Sequence, residues 1–255
     1  MRHGTYVLDS YIDSVTWEEA VNRIADWGAE RQSRYVTLCN VHSVVTASQD
    51  PQFATVINQA DMAAPDGAPI AWMLRKEGFP EQQRVNGPDL MWQYLGEAER
   101  RGQSVFFYGS SDTTLSKLQA RLVKHFPALK IVGMVSPPFR ALTTEEDAAY
   151  VDQINQSGAA VVFVGLGCPK QEFWMAAHRG AIKAVMLGVG AAFDYHAGTL
   201  RRAPTWMQHR GFEWLYRFAH EPRRLARRYV ETNSIFIAKV IKRILLRQGP
   251  KDQKV

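Results

Sequence analysis

A chain of 255 residues, 46% hydrophobic and 22% charged, has ordinary globular composition and enough length for one large core or two modest ones, which excludes a low-complexity polymer. Its two cysteines, Cys39 and Cys168, fall in no Cys-x-x-Cys or Cys/His spacing, so a disulfide scaffold and a structural zinc site lack support and a reducing cytoplasm fits best. The net charge of +6 gathers in the last quarter, at Arg201, Arg202, Arg210, Arg217, Arg223, Arg224, Arg227, Arg228, Lys239, Lys242, Arg243 and Arg247, and this asymmetry points to an anionic partner: small-molecule phosphate, anionic lipid or nucleic acid.

The N-terminus meets Asp9 before a signal-peptide core develops, and no later stretch has the uncharged length of a spanning helix, so the expectation is a protein neither exported nor integral to a membrane. Thr16 to Glu30 follows with helical periodicity, opened by Ser14-x-x-Trp17-Glu18. Tyr35-Val36-Thr37-Leu38 reads as a strand and His42 to Gln59 as a helix. Between them Asn40 either caps that helix or hydrogen-bonds a sugar or base. A short apolar run then ends in Pro65-Asp66-Gly67 and launches a helix over Ile70 to Lys76. Asp66 either serves only its own turn or accepts a proton from an attacking hydroxyl, and it is the best general-base candidate in the chain.

Arg84-Val85-Asn86-Gly87-Pro88-Asp89 precedes a helix over Pro88 to Arg101. Asp89 there complements the helix dipole, while Arg84 either pairs with Asp66 or a substrate or is a solvated surface arginine. Ser104 to Tyr108 is the next strand, and the small residues Gly109-Ser110-Ser111 open a helix over Asp112 to Phe126 where backbone N–H groups can meet an anion. Lys130 to Val135, Ala159 to Gly165 and Lys183 to Gly188 read as strands, with a helix over Thr144 to Ser157. The turns Gly165-Leu166-Gly167-Cys168-Pro169-Lys170 and Gly188-Val189-Gly190-Ala191-Ala192-Phe193 both begin Gly-x-Gly, yet Lys170 and Phe193 stand where a dinucleotide fingerprint needs its third glycine.

Continuous apolar strands separated by helices define an α/β protein, a parallel sheet covered by helices in the Rossmann-like manner, whose ligands gather at the carboxyl ends of the strands. Composition shifts near Gly198, giving a core over residues 1–200 and a basic appendage over residues 201–255. No Asp-x-Asp pair, Gly-x-Ser-x-Gly elbow or Walker loop occurs, so a departing diphosphate would be met by arginines and helix dipoles. From Pro222, the residues Leu225, Tyr229, Phe236 and Val240 share a helical face, widened by Val230, Ile237 and Ile241, with Arg224, Arg227, Arg228, Lys239 and Lys242 opposite. Such a basic amphipathic helix either packs on the core or lies on a membrane.

In order along the chain stand the Asn40 turn, Ala64-Pro65-Asp66-Gly67, Arg84-Val85-x-Gly87-x-Asp89-Leu90, Gly165-x-Gly167-x-Pro169-Lys170-Gln171-Glu172, Gly188-Val189-Gly190-Ala191-Ala192-Phe193-Asp194 and Arg201-Arg202-Ala203-Pro204. Glu213-Trp214-x-x-Arg217 and Glu221-Pro222-x-Arg224-Leu225-x-Arg227-Arg228-Tyr229 complete the set. Together they resemble the WecG/TagA/CpsF family of bacterial glycosyltransferases from about Val36 to Tyr229. The resemblance implies metal-independent, cofactor-free, inverting transfer of a sugar from a UDP-sugar to a polyprenyl-diphosphate-linked sugar, in the synthesis of cell-surface polymers or exopolysaccharide. It implies Asp66 as the base, Asn40, Arg84 and Gln171 lining the sugar pocket, Asp194 contacting the nucleotide, and Arg217, Arg224 and Arg227 reaching the diphosphate. A place at the inner face of the plasma membrane, against anionic lipid and with no nucleic acid, follows from it, with Ile235 to Leu246 as the membrane-contacting stretch.

Many members carry Thr two residues before the asparagine, where this chain has Leu38. The Asn-Val-His run looks more like the xanthan-type glucosyltransferase branch than the N-acetylmannosamine branch, and both donors stay open. The rival from another class is a basic nucleotide- or RNA-binding module without transferase activity.

Overall fold

Two four-residue strands, β1 (Gly4–Val7) and β2 (Ser10–Asp13), form an antiparallel hairpin that turns at Leu8, whose φ is 55°. Strands this short carry too few alternations to register in the sequence. The hairpin is fastened by Asp13, whose buried carboxylate takes three bonds from Arg2, at 2.9, 3.1 and 2.7 Å, and a fourth from the Ala63 N–H at 2.6 Å. Helix α1 (Trp17–Ala29) starts not at Ser14 but at Thr16, which forms a reciprocal capping box with Glu19. The computed structural model describes residues 2–220 and 222–245; the side chains of His209, Arg217, residues 222–229 and 243–245 lie outside that description.

Strand β3 (Arg34–Cys39) leads into α2 (Val41–Ala47) and α3 (Pro51–Asn58). A single helix was expected over His42 to Gln59, and the chain breaks it at Asp50-Pro51. Proline lacks the N–H that a helix interior needs but suits a first turn, and Asp50 caps the new helix by accepting from Gln52 N and Phe53 N at 2.9 and 3.2 Å. Next come β4 (Met62–Pro65), α4 (Ala68–Lys76), α5 (Gly87–Arg101), β5 (Ser104–Gly109), α6 (Asp112–His125), β6 (Lys130–Val135), α7 (Thr144–Gln156), β7 (Val161–Gly165), α8 (Lys170–Ala177), β8 (Val185–Gly188) and α9 (Ala192–Ala197). Helices α10 (Thr205–His209), α11 (Glu213–His220) and α12 (Pro222–Leu245) make up the C-terminal part.

Among the described residues the main sheet has six strands in the order β4-β3-β8-β7-β5-β6, every neighbouring pair parallel. Alternate strand residues face opposite layers. Val36, Leu38, Val105, Phe107, Val161, Phe163, Val185 and Leu187 pack with α1, α5 and α6 side chains such as Ile24, Tyr94 and Leu118. Tyr35, Phe106, Tyr108, Val162, Val164 and Met186 face the other way, onto Ile154 and Met175. Burial on both faces is why these strands read as unbroken apolar runs, and the α/β expectation holds.

Helix α12 spends its apolar face on the core: Phe236 and Val240 are buried among Val44, Val45 and Phe53. Val230, Ile237 and Ile241, expected to widen the apolar face, are exposed. Lys239, expected on the opposite basic face, turns to the core, where its Nζ donates to the Ser48 carbonyl at the end of α2 at 3.1 Å. A cation there meets the negative end of the α2 dipole. No helix among the described residues is long and apolar enough to cross a membrane.

Candidate active site

The carboxyl ends of β4 and β3 are drawn together by the backbone. Asp66 N donates to the Cys39 carbonyl at 2.9 Å, and Val85 N donates to the Pro65 carbonyl at 2.8 Å. These two bonds bring three predicted residues, Asn40, Asp66 and Arg84, to one edge of the sheet. Asn40 does cap α2, with Oδ1 accepting from Ser43 N at 3.2 Å while Ser43 Oγ takes the Asn40 N–H. The cap uses Oδ1 and not the amide NH2.

Arg84 pairs with Asp66, Nε to Oδ1 at 3.5 Å, and donates through Nη2 to Glu213 Oε2 at 2.5 Å. The alternative of a solvated arginine is therefore overturned; the guanidinium lies half-buried between two carboxylates. Burial works against its charge, but Asp66 and Glu213 outweigh that and hold its pKa above the ordinary arginine value. Glu213 opens α11, so this contact joins the C-terminal part to the Pro-Asp-Gly turn.

A second clasp lies beside it. Arg202 donates to both oxygens of Asp89, at 2.5 and 2.8 Å, and to Asn86 Oδ1 at 3.3 Å, while its Nε approaches Glu213 Oε1 at 3.6 Å. Asn86 caps α5 and also donates to Asp89 through Nδ2 at 2.7 Å. Burial raises the Asp89 pKa, yet the Arg202 and Asn86 hydrogen bonds prevail and hold it below the usual carboxylate range. Asp89 thus does more than complement a dipole. Asp66, Arg84, Glu213, Arg202 and Asp89 form one chain of alternating charge across the junction.

Gln171, in the first turn of α8, bridges the next two strand ends. Its Oε1 accepts from Gly167 N at 3.2 Å and from Gly190 N at 3.0 Å, and its Nε2 donates to Glu172 Oε1 at 2.8 Å. Gly188 makes room for it, since a Cβ there would lie 3.0 Å from Gln171 Nε2 and 2.7 Å from Met175 Cε. Asp194 lies on α9, where Oδ1 accepts from Thr114 of α6 and from Thr199, both at 3.2 Å. Arg217 lies on α11 and Arg224 and Arg227 on α12, with side chains outside the described residues.

Helices α4 and α8 both start at this edge with no side-chain cap, at Gly67 and Pro169, the kind of helix start that anions prefer. Among the described residues no three His, Cys, Asp or Glu side chains are grouped to hold a metal ion. The junction also carries exposed apolar side chains: Trp206 on α10, Phe212 just before α11, Trp214 and Leu215 on α11, and Trp72 on α4. The two groups adjoin, because Gly211 rests so close to Ala68 of α4 that a Cβ at 211 would lie 2.8 Å from that of Ala68.

Sequence reasoning did not single out Glu213 or Arg202 as site residues. Each stands in a motif, but Arg202 reads as one of many cations, and nothing local shows that its partner is 113 positions away.

The chain matches the family model described as "Glycosyl transferase WecG/TagA/CpsF family" over residues 5–250. It is 30% identical over 199 residues to the N-acetylglucosaminyldiphosphoundecaprenol N-acetyl-beta-D-mannosaminyltransferase of Bacillus spizizenii, a match covering 78% of this chain and 76% of that protein.

Proposed function

The chain belongs to the WecG/TagA/CpsF family of glycosyltransferases, and from that premise we propose that it moves a hexose or N-acetylmannosamine-type sugar from UDP to polyprenyl-diphosphate-linked N-acetylglucosamine, inverting the anomeric centre without a metal. The acceptor follows the name of the Bacillus relative. Asp66 is the observation that carries the reading: a carboxylate at a strand's carboxyl end, held from behind by Arg84. Its oxygen takes the proton of the acceptor hydroxyl as that oxygen forms a bond to the anomeric carbon. The bond from that carbon to the diphosphate breaks on the opposite face, and UDP leaves with the electron pair.

Charge on the leaving diphosphate is met by the N–H groups opening α4 and α8 and by Arg217, Arg224 and Arg227. Asn40 offers its NH2 to the sugar, since its Oδ1 serves the cap. Gln171 acts by keeping two glycine loops in place beside the donor, and Asp194 meets the nucleotide. The lipid carrier of the acceptor requires the site to approach a bilayer. Trp206, Phe212, Trp214, Leu215 and Trp72 form an apolar surface that does so, beside the exposed Ile237 and Ile241 of the Ile235 to Leu246 stretch, because amphipathic aromatic rings favour the headgroup level.

The test is release of UDP from UDP-sugars in the presence of a synthetic polyprenyl-diphosphate N-acetylglucosamine. Wild-type protein releases UDP and Asp66→Asn loses about a hundred- to ten-thousand-fold in turnover, the usual span for general-base catalysis. Turnover of Asp66→Asn close to wild type would remove Asp66 from the role.

A further inference from the structure

Glu172 is 1% exposed, next to Gln171 in the first turn of α8. Its Oε1 accepts from Gln171 Nε2 at 2.8 Å, and the carboxyl group is otherwise shut away from solvent with the Cys168 thiol beside it. Burial of a carboxyl group to this degree works against its charged form. Burial accordingly raises its pKa above the ordinary carboxylate value. The titratable groups that face it are two thiols, Cys39 at the end of β3 and Cys168 in the loop before α8. Burial pushes Cys39 up to about 12 and raises Cys168 as well, so neither supplies a countercharge.

A glutamine amide has two nearly identical ends, and which way it points is decided by its neighbours. At Gln171 one end must be an acceptor, because two backbone N–H groups, of Gly167 and Gly190, converge on it. The other end must be a donor, and Glu172 Oε1 is what receives it. Reversed, the amide would point NH2 at two N–H groups and its oxygen at Glu172 Oε1, and the turns after β7 and β8 would lose their shared anchor. We infer that Glu172 is a positioning residue for transfer: its buried Oε1 receives the Gln171 NH2 and so helps fix the orientation of the amide that holds the Gly167 and Gly190 turns, which wall the donor site. The role in transfer rests on the glycosyltransferase reading; the mechanical role does not.

The experiment compares wild type, Glu172→Gln and Glu172→Leu by amide hydrogen exchange resolved at single residues and by steady-state kinetics with a UDP-sugar. Glutamine keeps an acceptor oxygen in place, whereas leucine fills the space without one. Glu172→Leu is expected to exchange the Gly167 and Gly190 amides about tenfold faster or more, with β3 and β5 amides unchanged, and to raise donor KM about tenfold with kcat within about threefold. Glu172→Gln is expected to restore both readouts to wild type. Two wild-type-like amides in Glu172→Leu, equal loosening throughout the sheet, or Glu172→Gln behaving as Glu172→Leu would overturn the inference. A fall in kcat at constant KM would overturn its role in donor binding. If no UDP-sugar is turned over by the wild type, the functional reading fails, and the exchange data still decide whether Glu172 orients the amide.

Discussion

Arg202→Ala separates a structural latch from a bystander. Arg202 gives Asp89 two bonds, at 2.5 and 2.8 Å, and Asn86 a third at 3.3 Å. Hydrogen bonds to charged groups contribute roughly 1.5–3 kcal/mol each when well buried. The Asp89 side chain is 37% exposed, so water takes over part of the lost solvation, and the discounted cost is about 2 kcal/mol in all. For a chain of this size that corresponds to a fall in Tm of about 4–8 °C. Because the folded-state pKa of Asp89 is depressed, the Arg202 contribution is fully present above the ordinary carboxylate range and is lost as pH falls through the folded value. Calorimetry of both proteins at neutral pH and at pH values down to about 3 therefore shows a gap that closes toward acid. Since Arg202 also lies beside Glu213, the variant loses about tenfold in kcat/KM for transfer as α11 loosens over Arg84. A difference within about 0.5 kcal/mol at neutral pH, the ordinary range for a surface substitution, would refute the latch, as would a gap indifferent to pH.

Other expectations follow from the same geometry. Gly188→Ala drives a Cβ to 3.0 Å from Gln171 Nε2 and 2.7 Å from Met175 Cε; Met175 can swing aside but Gln171 is held at both ends, so thermal denaturation should register a loss of about 1–3 kcal/mol and donor KM should rise. Trp206→Ser combined with Trp214→Ser should weaken sedimentation with anionic lipid vesicles at least about tenfold while leaving the Tm within a few degrees, because both rings are already exposed in the fold. Lys239→Ala removes the cation at the end of α2, and a drop of about 0.3–1 kcal/mol in unfolding free energy, with vesicle binding unchanged, would place Lys239 on the core side of α12.

The strands and most helices were legible because two-sided burial writes itself as apolar runs such as Val105 to Tyr108, and helix starts expected at Ser14 and Thr144 lie within two residues of the capping threonines Thr16 and Thr143. The break at Asp50-Pro51 was also written there, as an N-cap followed by a proline, and was hidden by the apolar periodicity running through it. Asp66 and Arg84 were found as candidate partners, since each sits at a turn whose chemistry is local. Glu213 and Arg202 were not, because their meaning comes from side chains more than a hundred positions away. Helix α12 shows the limit of periodicity: its heptad-like pattern places Phe236 and Val240 on one face, but only the packed structure tells which neighbouring apolar residues the core has space for.

Asp66 as the base of an inverting transfer is the central claim, and its most direct test combines rate with stereochemistry. Wild-type protein supplied with an α-linked UDP-sugar and polyprenyl-diphosphate N-acetylglucosamine is expected to release one UDP per sugar transferred and yield a β-linked product by NMR. Asp66→Asn should bind UDP as wild type does and turn over at about a hundredth of the rate or less. An α-linked product, or an Asp66→Asn protein within about threefold of wild type, would contradict it.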